Sequence, residues 1–214
     1  DNMFPHHENE IAQSEAYTHK RFSKIWMHSE HLVVDGKKMS KSLGNFFSLR
    51  DLLNKGFTGR EVRYMLLQAH YKTQLNFTFK GVDAARQTLS RLDDFVRRLQ
   101  EIQEANLETV QLEIIDELLK KAKTNFSLAL SDDLNISVAL ASLFDLVREV
   151  NLLADKKEIS SIEAAKIILL LKEFDSVLGV LCFKQKEEEI PSEIQKLLEM
   201  RIQARKSKDF KQSD

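Results

Sequence analysis

Beyond Val82 the chain carries one kind of pattern: apolar residues recur every three or four positions in long runs that almost nothing interrupts. Only 6 glycines and 2 prolines occur in 214 residues. These two residues are the strongest punctuators of regular structure, so a chain poor in them has few tight turns and favours long helices. The spacing predicts helices over about 82–104, 112–131, 136–156, 160–184 and 192–206. Leu89, Leu92, Val96 and Leu99 form one stripe; Ile114, Ile115, Leu118, Leu119 and Ala122 form another. Ser137 to Val150 carries Val138, Leu140, Ala141, Phe144 and Val147. Ile167 to Leu171 is apolar on nearly every side, which predicts a central helix of a bundle. Glu187 to Glu189, ahead of Pro191, marks a solvated linker.

The first 81 residues are patterned differently. His6 to about Arg21 has helical spacing through Ile11, Ala12, Glu15 and His19, with Pro5 tolerated at the first turn. Lys24 to His28 and His31 to Val34 are short β-prone runs, and Asp35-Gly36 is a hairpin signal. Ser48 to Asn54 predicts a short helix with Ser48 as N-cap and Lys55-Gly56 as its stop. Thr58 to Tyr71 predicts a further helix whose face is Val62, Met65, Leu66, Ala69 and His70, and 72–81 connects it to the bundle. The fold class is therefore a mixed α/β portion followed by an all-α bundle.

At 43% apolar content the chain can bury a substantial core in one or two domains. A single cysteine excludes an internal disulfide and fits a reducing compartment. That residue, Cys182, sits in the apolar string Leu178-Gly179-Val180-Leu181-Cys182-Phe183, which suits a buried structural thiol better than a ligand. No run of 18 apolar residues exists, so no membrane-spanning helix is expected. The net charge of −1 argues against a nucleic-acid binder, but its distribution is uneven. The first hundred residues are net positive and hold all 6 histidines, and the remainder is net negative. Phosphate contacts, if any, belong in the first part.

Two constellations carry chemistry. Lys38-Met39-Ser40-Lys41-Ser42, followed by Leu43-Gly44-Asn45, places two lysines three apart in a turn-like context between Gly36 and Gly44. Ammonium groups there can neutralise phosphate charge, with hydroxyls and backbone N–H groups adding hydrogen bonds. The plainer alternative is a solvated basic turn. His6 and Glu10 stand four apart, so on a helix both leave the same face. Such an imidazole and carboxylate can share a zinc ion, or form an ordinary surface pair.

The string Lys38 to Ser42 is similar to the KMSKS signature of class I aminoacyl-tRNA synthetases. Asp1 to Glu15 contains FPHHENEIAQSE and resembles the corresponding segment of the cysteinyl-tRNA synthetases, as does Ile25-Trp26-Met27-His28. Tyr64 to Tyr71, Asp132-Asp133-Leu134-Asn135 and Ala204 to Phe210 follow in that family's order. The resemblance runs over nearly the whole chain. It implies the last part of a Rossmann-type catalytic domain with its KMSKS loop over 1–57, a stem-contact region over 58–81, a helical tRNA-binding bundle over 82–184, and a linker with the start of an anticodon-side region over 185–214. The family's HIGH motif and its two zinc-binding cysteines are not found here. The chain is thus expected to be an internal-to-C-terminal piece of such an enzyme, inactive by itself.

By the same resemblance, the reaction joins cysteine to ATP as cysteinyl adenylate and transfers it to tRNA(Cys), with magnesium accompanying ATP. Lys38 and Lys41 are the implied catalytic cations, Lys41 the more direct, with Ser40 and Ser42 supporting the ATP-binding loop and Met39 anchoring it. His6 and Glu10 are the implied zinc ligands, the metal accepting the substrate thiolate. His7, His28 and Trp26 belong either to a histidine-rich floor under the substrate or to the core. Arg60, Arg63, Lys72 and Lys80, and at the far end Arg201, Arg205, Lys206, Lys208 and Lys211, are the cations available to tRNA. The implied protein is a cytoplasmic monomer without membrane association. Two alternatives stand: the related cysteine ligase that uses an amino-sugar acceptor, and a helical tRNA-binding module without catalysis.

Overall fold

In a computed structural model the described residues are 2–105, 112–184 and 200. A single π-helical turn, Met3–His7, leads into helix α1, Glu8–Thr18, which ends at His19 in the left-handed region (φ 56°). Strands β1, Val33–Val34, and β2, Lys37–Lys38, form an antiparallel hairpin. Its turn residues Asp35 and Gly36 both take positive φ (47° and 71°), the conformation an Asp-Gly pair supplies most readily. Helices α2, Leu49–Asn54, and α3, Gly59–Leu67, precede β3, Asn76–Phe77, which pairs parallel to β1. The sheet order is β2-β1-β3. Then come α4, Phe79–Glu104, α5, Leu112–Ser131, α6, Ile136–Asp155, and α7, Ser161–Leu178.

Local capping chemistry explains where most of these helices begin. Ser48, Thr58 and Ser160 each accept from the backbone N–H three residues on, while Asp51, Glu61 and Glu163 reach back to the cap: three reciprocal capping boxes. Thr78 and Asn135 cap α4 and α6 by the same side-chain acceptance. At its far end α7 stops at Gly179, whose φ of 62° suits a residue without Cβ.

In the bundle, α7 packs against α4 and α5, and α5 also packs against α6. The stripe Leu89, Leu92, Val96 and Leu99 is buried as its spacing predicts. Phe126 of α5 stacks on Phe174 of α7 with ring centroids 4.0 Å apart. The expected face of α6 is displaced. Ala139, Leu140, Leu143, Leu146 and Val150 are buried, whereas Val138 and Ala141 are exposed. Leu169 of α7 is 68% exposed, so the apolar run at 167–171 is buried on one broad face, not all round. Ile114 is likewise exposed and Ile115 buried.

The α/β portion departs from expectation in three places. Residues 24–28 form no strand, since a strand needs a neighbour to take its backbone hydrogen bonds and none of the described residues pairs with them. The connection 72–81 contains β3 and the first turn of α4. Helix α3 stops at Leu67, short of Ala69 and His70, and buries Val62, Tyr64 and Met65 while Leu66 stays exposed. The expected helix at 192–206 lies outside the described residues, Met200 apart, as do Arg201, Arg205, Lys206, Lys208 and Lys211.

Candidate functional site

The lysine loop springs directly from the hairpin. Lys38 is the last residue of β2, paired with Val33, and Met39 then turns inward, half-buried and packed against the core. Met39 shares an apolar cavity of about 450 Å³ with Leu32, Val34, Phe47, Leu52 and Val62, set between the hairpin, α2 and α3. The loop is closed by Asn45. Its Oδ1 accepts from the Ser40 N–H at 2.8 Å, and its Nδ2 donates to the Lys38 carbonyl at 3.1 Å. Inside, the Ser40 hydroxyl accepts from the Leu43 N–H at 3.2 Å and lies 3.2 Å from the Ser42 hydroxyl. The Gly44 N–H donates to the Lys41 carbonyl at 3.1 Å, and Gly44 turns with φ 66°.

Both lysines are exposed. The Lys41 ammonium rests 5.7 Å from the centroid of the Phe46 ring. A cation–π contact at an exposed site is worth only about 0.5–1 kcal/mol, so an arriving phosphate can take the ammonium from the ring.

His6, His7 and Glu10 present one ligand atom each, all within 4.8 Å of one another. The helical spacing of His6 and Glu10 does bring an imidazole and a carboxylate to one place, and the donor set is a nitrogen and oxygen set that a divalent transition metal accepts. His7 is drawn the other way as well. Its Nδ1 lies 2.8 Å from His28 Nε2, and its ring lies 5.2 Å from Trp26, which stacks on His28 within 6° of parallel. These three rings are half-buried, a shared surface and not a core cluster. Glu15 supports it from α1: its carboxylate accepts from the Phe22 N–H at 3.0 Å, placing Phe22 5.8 Å from Trp26.

The cations at 60–80 divide sharply. Arg60 forms a fork with Asp93, at 2.8 and 2.5 Å, and also donates through Nε to the Val180 carbonyl. Burial is the largest single influence and works against its charge, but the Asp93 bond together with the negative charge of Asp93 and its neighbours holds the guanidinium above its ordinary pKa. Arg63 donates to the Leu178 and Val177 carbonyls at 2.5 and 3.2 Å. Arg63 therefore covers two carbonyls that α7 leaves open at its negative end, and Arg60 covers the Val180 carbonyl just beyond it. Lys72 meets Asp133 at 2.5 Å. Lys80 is exposed on the first turn of α4.

Asp133 is also where two distant strings meet. The turn between α5 and α6 puts Asp133 and Leu134 in the left-handed region (φ 52° and 57°). His70 Nε2 lies 2.8 Å from the Asp133 carbonyl, and Ser137 donates to the Gln68 carbonyl at 3.2 Å. Hydrogen bonds from Lys72 and Tyr71 hold the Asp133 carboxyl below the usual carboxylate range. Cys182 is half-buried, not fully buried as its apolar string predicts, and takes no part in the His6 and Glu10 group.

Sequence reasoning missed Asn45 and Asp133 as organisers. Asn45 adjoins the lysine string, and an Asn just past a Gly turn was a usable signal; nothing local points from Asp133 to Tyr71. Among the described residues no helix is long and apolar enough to cross a membrane.

Residues 1–87 match the family described as tRNA synthetases class I (C) catalytic domain, and residues 125–182 match the DALR domain. A cysteine–tRNA ligase of Protochlamydia amoebophila is 57% identical over 215 residues, covering 100% of this chain and 44% of that protein. One of Chlamydia felis is 52% identical over 217 residues, with 100% and 44% covered. The chain thus spans less than half the length of the curated relatives it matches. Among solved structures, the LeuRS in a ternary complex of Agrobacterium radiobacter LeuRS, tRNA and LeuAMS is similar with a TM-score of 0.60 at 20% identity, over 80% of this chain and 24% of that one. At that identity the likeness speaks for the fold.

Proposed function

Because this chain belongs to the cysteine–tRNA ligase family, we propose that it supplies the phosphate-facing loop and the helical tRNA-binding part of a longer enzyme that activates cysteine with ATP and passes it to tRNA(Cys). The observation that carries the reading is the lysine loop. Two ammonium groups stand exposed on a backbone tied down by Asn45 at the neck and Met39 beneath. When the cysteine carboxylate attacks the α-phosphorus of ATP and pyrophosphate departs, negative charge grows on the phosphate oxygens. Cations that meet that charge mainly in the transition state speed the step, because only differential binding does. Lys41 is the nearer cation in this reading and Lys38 the second. Ser40 and Ser42 shape the loop, and magnesium accompanies the nucleotide.

His6 and Glu10 would supply two ligands to a zinc ion, whose chemistry is the preference of the metal for sulfur over oxygen, with the remaining ligands coming from outside this chain. The His7–Trp26–His28 surface would line the amino-acid side of the site. Engagement of Arg60, Arg63 and Lys72 within the fold leaves Lys80 as the better candidate for a tRNA phosphate in this region. A monomer working in the cytoplasm completes the reading. Likeness to tRNA ligases over the whole of this chain favours tRNA over an amino sugar as acceptor.

The test is an assay of the polypeptide extended to the length of its relatives. Cysteine-dependent ATP–pyrophosphate exchange and charging of tRNA(Cys) are expected. Transfer of cysteine to an amino sugar with no charging of tRNA would overturn the proposal.

A further inference from the structure

Asn45 lies outside the five-residue lysine string, and we propose that it is a positioning residue for adenylation, holding Lys38 and Lys41 where the phosphates arrive. The inference rests on the function proposed above. The two hydrogen bonds of the Asn45 amide fall on either side of Met39, one to the Lys38 carbonyl and one from the Ser40 N–H. Lys38 is already held in register with Val33, and Met39 is held against the core. Asn45 therefore ties the returning strand of the loop to its outgoing strand at the point where both are fixed. Residues 41–44 remain as a short span braced by Gly44 N–H to the Lys41 carbonyl. Without the tie, the returning end of the loop would be held only from Phe47 onward, and the span that carries Lys41 would lose its fixed neck.

The chemistry required at position 45 is narrow. One short side chain must offer a donor and an acceptor side by side, which an amide does. Aspartate keeps the acceptor for Ser40 but turns a second oxygen on the Lys38 carbonyl, and it adds a negative charge beside the two ammonium groups. Alanine removes both bonds. Misplacement of a positioned group by about 1 Å can cost on the order of 100-fold in rate.

The experiment compares Asn45→Ala and Asn45→Asp with the parent in the full-length ligase, reading pyrophosphate exchange, with backbone amide exchange followed in the 214-residue chain. Expected is a fall in kcat on the order of 10- to 100-fold for both variants, with the KM for cysteine within about twofold. Faster exchange of the Ser40 amide in Asn45→Ala should accompany it, while amides of α4 keep their protection. Normal kcat with a lowered melting temperature would reduce Asn45 to a structural part and overturn the role. An unchanged Ser40 amide would overturn the tie itself. Absence of exchange in the unmodified full-length protein would instead sink the functional reading, a failure recognisable because no variant takes part in it.

Discussion

The hydroxyl of Tyr71 donates to the carboxylate of Asp133 at 2.7 Å across 62 positions of sequence. Lys72 adds its ammonium to the other carboxylate oxygen, and the Tyr71 carbonyl accepts from the Glu30 N–H at 2.8 Å. The segment leading to the hairpin is thus joined, through residues 70–72, to the turn between α5 and α6. Hydrogen bonds from Lys72 and Tyr71 depress the Asp133 pKa, so its contribution to stability is fully present above the ordinary aspartate value of about 3.9 and fades as pH falls through the lower folded value. The Asp133 bonds raise the pKa of both Tyr71 and Lys72. Their contributions are present below about 10 and are lost as pH rises through the folded values. Melting temperatures measured from pH 2 to 7 should therefore fall more steeply at the acid end for the parent than for Asp133→Asn. Parallel curves would mean that the carboxylate is not coupled to folding.

Arg60→Lys keeps the charge but not the planar fork that meets Asp93 twice and reaches the Val180 carbonyl. A loss of about 1–2 kcal/mol is expected, a charged hydrogen bond discounted for partial exposure. Urea unfolding reads it out. A midpoint equal to that of the parent would show that a point charge suffices there.

Under the proposed function, Lys41→Ala in the full-length protein should lower adenylation far more than it weakens cysteine binding. Removing one charge-stabilising donor costs roughly 2.7–4 kcal/mol, or about 100- to 1000-fold. Burst kinetics with ATP and cysteine separate the two quantities. Turnover near the parent value would leave Lys41 a surface cation resting on Phe46.

The 214-residue chain alone should retain little zinc after desalting, since in the proposed site His6 and Glu10 would be only two of four ligands and thiolates hold zinc most firmly. In the full-length protein, His6→Ala or Glu10→Gln should lower metal content and cysteine-over-serine selectivity together. Stoichiometric, tightly held metal in the short chain would show that other residues here, His7 first among them, complete the site.

What the sequence determined by itself is what depends on neighbours three or four residues away. Ser48 with Asp51, the Asp35-Gly36 turn and the Leu89 to Leu99 stripe were legible because a cap, a two-residue turn and a helix face are short-range matters. The lysine loop was legible as a string, and the pairing of His6 with Glu10 followed from helical spacing. Tertiary structure decided the rest. Residues 24–28 have strand-forming side chains but no pairing partner among the described residues, and β3 exists only because β1 lies beside it. Arg60 and Arg63 look like free cations until the end of α7 and the residues just after it, more than a hundred positions later, bring the Val180 and Leu178 carbonyls to them. A ladder partner or the far end of a long charged side chain is fixed by which elements pack together, and no local window of the chain contains that information.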